Sequence, residues 1–490
     1  MEKSIKDFVF KGKPKVKKEK PSSLIVLTTR LGKSGAIAPT VKKLVDKCKK
    51  RGIRCVVIDT PYGVIEKTEK GTYLIGNKGE EKTEVDVSNT MILPRRSSIE
   101  NTAAVKFFQK LETIGFTAIN SLKSVLMCED KLETCEKLSE RGIPVPKTSL
   151  ISNIKSVDSA VEEIGGRFPI IVKLLNGTKG IGVFQIDSHP SLISSLQTIW
   201  KLSPNTELLL QEKIEAEYDL RIHVLGNRDG SDEGYNYEVI GAMKRIKIEG
   251  DFRTNFSLGG ATEKVELSPE VEKIAIKCAK ATGCGWCGVD IIVESETKKP
   301  YVLEVNASPG TDGIEKTTGL PITEIVLDFL ANKKNWSHPT KIIGFREIFT
   351  VKGVGDFVGK SDTGNGAISC SLHADSFEQI GKEIIWSIGD KEYKNKIVEY
   401  SHPEIGAETE KRPVILLDVE FEGTTYTEVK FSVVDRKTKS TPLLINRSFM
   451  DRAGLVIDPS RTFIVTDKPE EYDPASAKEG SRGGIILSTE

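Results

Sequence analysis

The sequence predicts an α/β and α+β protein followed by a separate all-β domain. Three observations predict this class: apolar runs alternate with helical stretches near the start, two apolar runs at 288–306 have the spacing of a β-hairpin, and 342–470 is a succession of short β-branched runs between turn residues. Because single hydrophobic cores rarely keep growing in chains of this size, the 490 residues suggest about three domains.

The first predicted domain covers residues 23–123. Ser23–Thr28 is an apolar run typical of a buried parallel strand, and Arg54–Asp59 repeats the pattern after a helical stretch. This strand–helix–strand order predicts a doubly wound α/β domain. A further predicted strand ends in Arg95 and Arg96, two cations that suit a substrate carboxylate but equally suit a solvated strand end.

Composition changes along the chain give the remaining boundaries. We expect the following segments: a basic flexible tail at 1–22, a second domain at 124–334 with a lid subdomain at about 124–205, a linker at 335–341, a β domain at 342–470 and a loose tail at 471–490. The lysine-rich tail favours either a docking arm for an acidic partner such as RNA or simple solvation.

Charge and composition exclude several classes of protein. With 71 basic and 70 acidic residues there is no global electrostatic reason to expect nucleic acid or a membrane as partner, apart from the basic tail. No apolar run approaches the roughly 20 residues that span a bilayer, and no apolar segment follows the N-terminus as in a signal peptide. The eight scattered cysteines are typical of a reducing compartment, so we expect a cytoplasmic protein.

The strongest chemical signal is the predicted hairpin. Side chains alternate faces along a strand, so Glu304 and Asn306 point the same way, and the hairpin spacing puts Asp290 opposite Glu304. Three oxygen donors on one patch suit Mg²⁺, which binds through a few carboxylates plus substrate phosphates. The alternative is an exposed polar hairpin face. Against it, both carboxylates lie within Val, Ile and Leu runs, where unpaired charge is costly.

A glycine-rich loop follows the strand that ends near Lys173. The loop at 177–182 combines glycines, whose backbone N–H groups can approach phosphates closely, with a lysine that supplies charge. An ordinary glycine turn has the same composition. Two Gly-Lys-Ser tripeptides elsewhere lack the glycine five residues earlier, so neither is a P-loop.

Nine ordered segments together resemble the RimK-like ATP-grasp ligases. They are Asp130–Leu132, Gly177–Gly182, Gln211–Ile214, Asp219–Arg221, Gly250–Asn255, Leu258–Ala261, Gly288–Asp290, Glu304–Gly310 and Gly313–Gly319. The resemblance covers about 23–332 and is densest at 168–320. It implies a pre-ATP-grasp α/β domain followed by an ATP-grasp domain of two subdomains.

The resemblance also implies roles for individual residues. For ATP these are Lys131 and Lys173 at the phosphates, the loop residues Gly177, Thr178, Lys179, Gly180 and Gly182 closing over them, Glu212 and Lys213 at the adenine, Asp219 near the ribose, and Arg253, Thr254 and Asn255 at the phosphates or acyl phosphate. Asp290, Glu304 and Asn306 are implied as ligands of Mg²⁺ or Mn²⁺, two ions in all. Arg253 is the expected catalytic cation, because charge develops on the acyl phosphate and tetrahedral states.

The implied reaction is an ATP-dependent ligation. The γ-phosphoryl group of ATP passes to a carboxylate, and an amine attacks the resulting acyl phosphate to give an amide, ADP and phosphate. In this family the amine is commonly glutamate and the acceptor a peptide or protein C-terminus, such as that of a ribosomal protein, although relatives extend small metabolites. Arg95, Arg96 and Arg221 are candidate substrate contacts, and a homo-oligomer is expected.

The C-terminal domain resembles the retropepsin-like domain that accompanies RimK ligases, described as an ATP-dependent zinc protease. The motif Asp362-Thr363-Gly364 carries the resemblance. In such folds two aspartates share one proton, so one copy per chain requires a dimer. Asn365-Gly366 and Asn446 depart from the motif's pattern. The domain is therefore either a peptidase of glutamyl tails that uses Asp362 or a non-catalytic module. His373 and the other histidines lack zinc-ligand spacing.

Cys284 and Cys287 have the CxxC spacing of zinc and redox sites. No second pair supports zinc, and no thioredoxin-like pattern surrounds them. The sequence therefore favours small buried residues on the approach to the Asp290 strand.

Overall fold

The computed structural model describes two compact units, Met1–Trp336 and Ser337–Glu490. The described residues are 23–28, 39–60, 63–67, 73–76, 83–95, 99–175, 182–204, 206–227, 236–247, 261–332, 335–336, 341–362, 369–402, 404–405, 408–470 and 486–487. The fold class that the sequence predicts, mixed α/β followed by an all-β region, is confirmed. Within these residues no helix is long and apolar enough to cross a membrane.

The first unit begins with a parallel sheet and a small antiparallel sheet. Their elements are β1 (Ser23–Thr28), α1 (Pro39–Lys50), β2 (Arg54–Asp59), β3 (Val64–Lys67), β4 (Tyr73–Gly76), β5 (Thr83–Val85), β6 (Thr90–Pro94), α2 (Thr102–Ile114) and β7 (Thr117–Ala118). The parallel strands have the order β2-β1-β6-β7, so successive connections run in opposite directions from the boundary between β1 and β6. The sequence did not predict the β3–β5 sheet.

The boundary between β1 and β6 is the switch point of this sheet. In open α/β sheets, ligands bind outside the carboxyl ends of the strands at such a point. Arg95 directly follows β6, and its backbone N–H donates to Leu27 O at 2.8 Å across the boundary. The sheet therefore places Arg95 where a ligand-binding crevice is expected.

A four-stranded antiparallel sheet with its own core follows. Its elements, with the two helices that lead into it, are α3 (Leu122–Glu129), α4 (Lys131–Glu140), β8 (Thr148–Ile151), α5 (Val157–Glu163), β9 (Ile170–Leu174), β10 (Val183–Ile186), α6 (His189–Leu202) and β11 (Leu208–Glu212). The strand order is β10-β9-β11-β8. Leu192 and Leu196 of α6 are fully buried against this sheet, and Lys173 lies on β9.

A five-stranded antiparallel sheet completes the first unit. Its elements are β12 (Tyr218–Asn227), β13 (Asn236–Ile246), β14 (Thr262–Lys264), α7 (Pro269–Thr282), β15 (Trp286–Val293), β16 (Pro300–Asn306), α8 (Asp312–Thr318) and α9 (Ile322–Leu330), and its strand order is β14-β13-β12-β15-β16. Leu220 and Ile222 face the same apolar core as α7. Because side chains alternate, Asp219, Arg221 and His223 point to the opposite face.

The C-terminal unit is built around a closed barrel. Its elements are β17 (Lys341–Gly344), β18 (Arg346–Val351), β19 (Gly355–Ser361), β20 (Cys370–His373), β21 (Ser376–Ile380), β22 (Glu383–Ile388), β23 (Lys391–Lys396), β24 (Glu399–Ser401), β25 (Glu404–Ile405), β26 (Glu408–Thr409), β27 (Arg412–Phe421), β28 (Thr424–Val434), β29 (Leu443–Ile445), α10 (Arg447–Ala453), β30 (Leu455–Asp458) and β31 (Ile486–Leu487). Six strands pair in the order β18-β19-β29-β20-β28-β27, and β27 pairs back to β18. Phe349, Phe357 and Phe431 fill its core.

Candidate active site

The β15–β16 hairpin brings the expected oxygen donors into register. Asp290 lies opposite Glu304, and Gly288 lies opposite Asn306. The pairing shifts by one residue after Asp290, a bulge that the hairpin spacing does not predict. The relative placement therefore agrees with the prediction, while the role of these side chains as metal ligands stays a prediction.

Asp290 belongs to a network of buried charges that crosses three strands. Arg245 on β13 binds both oxygens of Asp219, at 2.5 and 2.7 Å, and lies 2.9 Å from Asp290 Oδ2. Arg221 on β12 donates to the same Asp290 oxygen at 2.7 Å. Each aspartate thus has a cationic partner, as buried carboxylates require.

The network sets the ionisation of its members. Burial disfavours the charge on Asp290, but the nearby Arg221 and Arg245 outweigh it and lower the pKa of Asp290. Burial likewise disfavours the charge on Arg245, yet Asp290 and Asp219 raise the pKa of Arg245 above its usual value. Both groups are therefore charged at neutral pH.

The donor set fits a divalent cation that is shared with phosphates. Glu304 is exposed, and Asn306 Oδ1 accepts a hydrogen bond from Ser308 N at 3.0 Å. Asp290 has its charge shared between two arginines. The described residues contain no cluster of three His, Cys, Asp or Glu side chains that would hold a metal unaided. Two carboxylates and an amide instead match the way Mg²⁺ binds together with substrate phosphates.

Two lysines lie beside this patch. Lys131 Nζ donates to Leu175 O at 2.9 Å, at the start of the glycine-rich loop. Burial lowers the pKa of Lys173, while the charges of Cys135 and Glu304 act in the opposite direction and that of Lys131 in the same direction. Lys173 therefore lies within electrostatic reach of both Glu304 and Lys131, as expected for residues around one phosphate chain.

Three of the other residues expected at the nucleotide have protein partners. Glu212 Oε1 accepts from Lys147 N at 2.7 Å, and Lys213 forms an ion pair with Glu215. The two oxygens of Asp219 are bound to Arg245, and Asp219 is buried. Its expected position near the ribose stays a prediction, and any such contact would have to share the carboxylate with Arg245.

Several expected residues lie outside the described part of the chain. They are Arg96, Gly177, Thr178, Lys179, Gly180, Arg253, Thr254 and Asn255, together with the motif residues Thr363 and Gly364 and the tail at 1–22. Gly182 is described. It has a φ of +79°, and its carbonyl accepts from Leu174 N at 2.9 Å, which closes the base of the loop.

The candidate substrate residues Arg95 and Arg221 lie in different surroundings. Arg221 is paired with Asp290, which leaves less of its charge for a substrate. Arg95 is buried, its Nη2 donates to Pro309 O at 2.8 Å, and its guanidinium carbon lies 5.1 Å from the ring centre of Trp286. Its role as a substrate contact stays a prediction.

Sequence reasoning missed four residues of this region: Arg245, Asn120, Trp286 and His223. Asn120 binds the backbone of Trp286 on both sides, accepting from its N–H at 2.9 Å and donating to its carbonyl at 2.7 Å. It also donates to Ala307 O at 2.6 Å, which ties β15 to the chain after β16. No local sequence signal marks these residues, because strand pairing alone brings them together.

In the C-terminal unit, Asp362 directly follows β19. Its backbone N–H donates to Ile445 O at 2.9 Å, next to the parallel pairing of β19 with β29. Asp362 lines a cleft of about 510 Å³ together with Lys360, Arg447 and Asp451. Asn446, a departure from the expected motif, accepts from Phe449 N at 2.9 Å and caps α10, so a structural reason exists for it.

Comparison with known proteins places the first unit among ligases. A family model described as a RimK-like ATP-grasp domain matches residues 128–330. A probable alpha-L-glutamate ligase 1 of Shewanella sp. (strain MR-4) is 33% identical over 305 residues, which cover 60% of this chain and 94% of the relative. A probable alpha-L-glutamate ligase of Vibrio atlanticus (strain LGP32) is 34% identical over 282 residues, which cover 57% and 87%.

Solved structures give a weaker likeness. The ATP-grasp RimK domain protein of Sphaerobacter thermophilus DSM 20745 has a TM-score of 0.45 at 16% identity, covering 63% of this chain and 98% of that chain. The D-alanine-D-alanine ligase of Coxiella burnetii has a TM-score of 0.44 at 17% identity, covering 64% and 94%. The sequence relatives therefore carry the comparison.

Proposed function

The chain belongs to the RimK-like ATP-grasp family of ligases, and on that premise we propose that it joins glutamate to the C-terminal carboxylate of a peptide or protein, using ATP and magnesium. The observation that carries the proposal is the cross-strand placement of Asp290, Glu304 and Asn306 beside Lys131 and Lys173. The glutamate relatives support the choice of amino acid. A ribosomal-protein-like acceptor suits the family resemblance.

The chemistry follows from charge. A carboxylate is a poor acylating agent, so it must first receive the γ-phosphoryl group of ATP; amine attack then releases phosphate and forms the amide. Mg²⁺ or Mn²⁺ held by Asp290, Glu304 and Asn306 supplies positive charge at the phosphates. Lys131 and Lys173 bind the phosphate chain, and Arg253 stabilises charge on the acyl phosphate.

The buried charge network holds the side chain of Asp290 in a fixed orientation. Arg245 and Arg221 hold Asp290 ionised and fix its orientation across the sheet. A fixed carboxylate costs little reorganisation when the nucleotide binds. These two arginines therefore act as positioning residues for the proposed metal ligand.

A direct test uses radiolabelled glutamate. The protein is incubated with ATP, magnesium and peptides that differ at their C-terminus, and amide-linked label is measured for wild type, Glu304→Gln and Asp362→Asn. We expect incorporation by wild type and Asp362→Asn and a loss of about 100-fold or more in Glu304→Gln, since removing one electrostatic contact of a transition state typically costs that much. Incorporation that is equal in all three proteins contradicts the proposal.

The C-terminal barrel favours a second candidate function. Asp362 lines a cleft together with a second carboxylate, Asp451, and with the cations Lys360 and Arg447, which can bind the side chains of an acidic peptide. We propose that this unit trims glutamyl tails, with Asp362 activating water. The test is peptide shortening without ATP: Asp362→Asn should abolish it and Glu304→Gln should leave it unchanged, whereas shortening that survives Asp362→Asn removes this candidate.

We also propose that the enzyme is cytoplasmic, because all eight cysteines are free thiols scattered over both units.

A further inference from the structure

Arg95 differs from the other buried arginine of the site in what it contacts. Arg245 and Arg95 are 5% and 7% exposed. Arg245 binds two carboxylates, whereas the guanidinium of Arg95 makes one hydrogen bond, to the neutral carbonyl of Pro309, and its Nη1 has no hydrogen-bond partner in the described part of the chain. A buried cation is costly when no ion pair is formed with it among the described residues; the charge of Asp312 offsets only part of this cost, since burial still lowers the pKa of Arg95 to about 10, so Arg95 requires an explanation.

Two further buried groups beside Arg95 also lack hydrogen-bond partners. Trp286, whose ring lies under the Arg95 guanidinium, is 2% exposed, and its Nε1 donates to nothing among the described residues. The His223 ring is fully buried with its centre 6.2 Å from that of Trp286, and neither of its nitrogens has a partner there. Native proteins leave few such groups unpaired unless a ligand or water completes them.

The sheet neighbours of His223 are two glycines with other side chains packed over them. His223 lies on β12 between Gly241 of β13 and Gly288 of β15, so its immediate sheet neighbours on both sides have no side chain. A Cβ at Gly288 would lie 3.0 Å from Pro309, the residue whose carbonyl Arg95 binds. A Cβ at Gly241 would lie 2.8 Å from Ile322, so Ile322 and Pro309 occupy the space over the two glycines.

The cluster lies at the switch point of the parallel sheet. Arg95 binds the carbonyl of Pro309, three residues along the chain from the proposed metal ligand Asn306. Arg95 also follows β6 at the switch point of the parallel sheet, where small ligands bind in open α/β sheets. A ligand at Arg95 would therefore lie at this switch point, beside the segment that follows Asn306.

We propose that Arg95, Trp286 and His223 form a buried site for a carboxylate of the amino acid that supplies the attacking amine. The guanidinium provides the charge and two parallel donors, and the indole N–H and the imidazole add neutral hydrogen-bonding groups. The inference rests on the ligase function proposed above and deepens it by naming the residues that recognise the second substrate.

The ligand is the incoming amino acid because of how charge changes during the reaction. The acceptor carboxylate becomes an acyl phosphate, whose negative charge lies on the phosphoryl group, and then a neutral amide, so it would leave a buried cation unpaired at the end of the reaction. A carboxylate of the incoming amino acid stays charged throughout. A permanently buried guanidinium is best matched by the partner whose charge persists.

The test measures the affinity for L-glutamate separately from that for nucleotide. Calorimetry follows L-glutamate binding to protein that is saturated with magnesium and a non-hydrolysable ATP analogue, and steady-state assays give KM for glutamate and for ATP. We expect Arg95→Gln to weaken glutamate binding and raise its KM about 10- to 100-fold, the range for a lost charge-assisted hydrogen bond, with ATP affinity within about twofold of wild type. Arg141→Gln, the same change at an exposed position, should change neither.

Two further variants protect the test against misfolding of Arg95→Gln. Arg95→Lys keeps the positive charge but loses the two parallel N–H donors of the guanidinium. Trp286→Phe keeps an aromatic ring under the guanidinium but loses the indole N–H. Each should raise the KM for glutamate about three- to tenfold and leave the KM for ATP unchanged. A change of this size corresponds to about half of the free energy of a hydrogen bond to a charged group. Glutamine, which lacks the side-chain carboxylate, and isoglutamine, which lacks the α-carboxylate, identify which carboxylate occupies the site. The analogue that lacks this carboxylate should bind to wild type as weakly as glutamate binds to Arg95→Gln.

The outcomes separate this inference from the proposed function. If wild type ligates glutamate and its KM is unchanged in all three variants, the site is wrong and the ligase function stands. If wild type neither binds nor ligates glutamate or any other amino acid, both fall. A selective rise in the KM for the amino acid supports both.

Discussion

His223 is a fully buried imidazole in a cationic environment. Burial lowers the pKa of His223 to about 3, and the charges of Arg221 and Arg95 act in the same direction. The charge of Asp290 acts in the opposite direction. The ring is therefore neutral in the folded protein throughout the physiological range. In the unfolded chain it titrates near its ordinary value of 6.5, so the two states bind protons differently between these values.

This difference predicts how stability depends on pH. The pKa of His223 is lower in the folded protein than in the unfolded chain. The contribution of the neutral ring to the free energy of unfolding is therefore fully present above pH 6.5 and is lost as the pH falls toward 3, by about 1.4 kcal/mol for each pH unit. Between pH 7.0 and 5.5, urea unfolding should show wild type losing about 1 kcal/mol more than His223→Gln, which has no titrating ring. The same pH dependence in both proteins would contradict the buried neutral imidazole.

Glu347 is a buried carboxylate in the C-terminal unit that is satisfied almost entirely by backbone. It is 0% exposed and accepts from the N–H groups of Gly344, Ile464 and Thr466 at 2.7, 2.8 and 2.9 Å, and from Thr466 Oγ1 at 2.6 Å. This side chain fastens the segment after β30 to the start of the barrel. Charge-assisted bonds of this kind are among the stronger ones in proteins.

Removing the Glu347 carboxylate should release that segment. Glu347→Ala removes the acceptor of four N–H groups, those of Gly344, Ile464, Val465 and Thr466, which costs about 3 kcal/mol or more in total. Hydrogen exchange measured by mass spectrometry should then be about 100-fold faster at Ile464 and Thr466, if opening of the segment governs exchange. Glu378→Ala, at an exposed position on β21, is the control, and protection that is equal in both variants would show that the carboxylate does not hold the segment.

At the scale of single residues, the sequence predicts the candidate metal ligands better than it predicts the cations that pair with the buried aspartates. The pairing of Asp290 with Glu304 follows from one short hairpin and is found. Arg245, which binds both Asp219 and Asp290, comes from the neighbouring strand β13, and a shift of one residue in the pairing of β12 with β13 would turn Arg245 to the other face. Arg245 and His223 therefore could not be identified from local patterns.

At the scale of elements, helix α1 is joined to α8 and α9 by ion pairs. Lys43 pairs with Asp312 and Glu315, and further along α1 the cations Lys47 and Arg51 pair with residues of α9. The pairs are partly exposed, so each contributes only about 0–1 kcal/mol. Together they join helix α1, which packs beside the parallel sheet, to α8 and α9 along one line of contacts.

A double-mutant cycle on Lys47 and Glu324 tests this arrangement. Alanine at either position should remove the same interaction, giving a coupling energy of about 0.5 kcal/mol in the free energy of unfolding at low salt. At 1 M salt, where the screening length is about 3 Å, the coupling should shrink toward zero. A coupling that does not change with salt would indicate that the contact is made by packing instead of charge.

Elements with strong local signals are predicted well and those without are missed. Helix α7 (Pro269–Thr282) has such signals, since Pro269 begins it and Ser268 caps it by accepting from Val271 N. The β3–β5 sheet was missed because its strands are short. Helix α10 was missed because it lies among β-branched runs, although Asn446 and Gly454 at its ends are cap signals that could have indicated it.

At the scale of the molecule, two units with different architectures share one chain. The N-terminal unit holds the family match at 128–330, and the C-terminal unit holds a closed barrel with Asp362 in a cleft. The sequence indicates both architectures because their strand patterns differ: long runs between helices in one, short β-branched runs between turns in the other. The retropepsin-like assignment and the expected homo-oligomer stay predictions.

The central claim is that Asp290, Glu304 and Asn306 bind a divalent cation together with the phosphates of ATP. Calorimetric titration of ATP into the protein, with magnesium and with the metal chelated, tests it most directly, comparing wild type with Glu304→Gln and with the exposed-site control Glu296→Gln. The account predicts that magnesium tightens ATP binding to wild type and to the control about tenfold or more, as one charge-assisted contact would, and that Glu304→Gln abolishes this gain. ATP binding that is equally tight without magnesium, or a gain that survives Glu304→Gln, would contradict it.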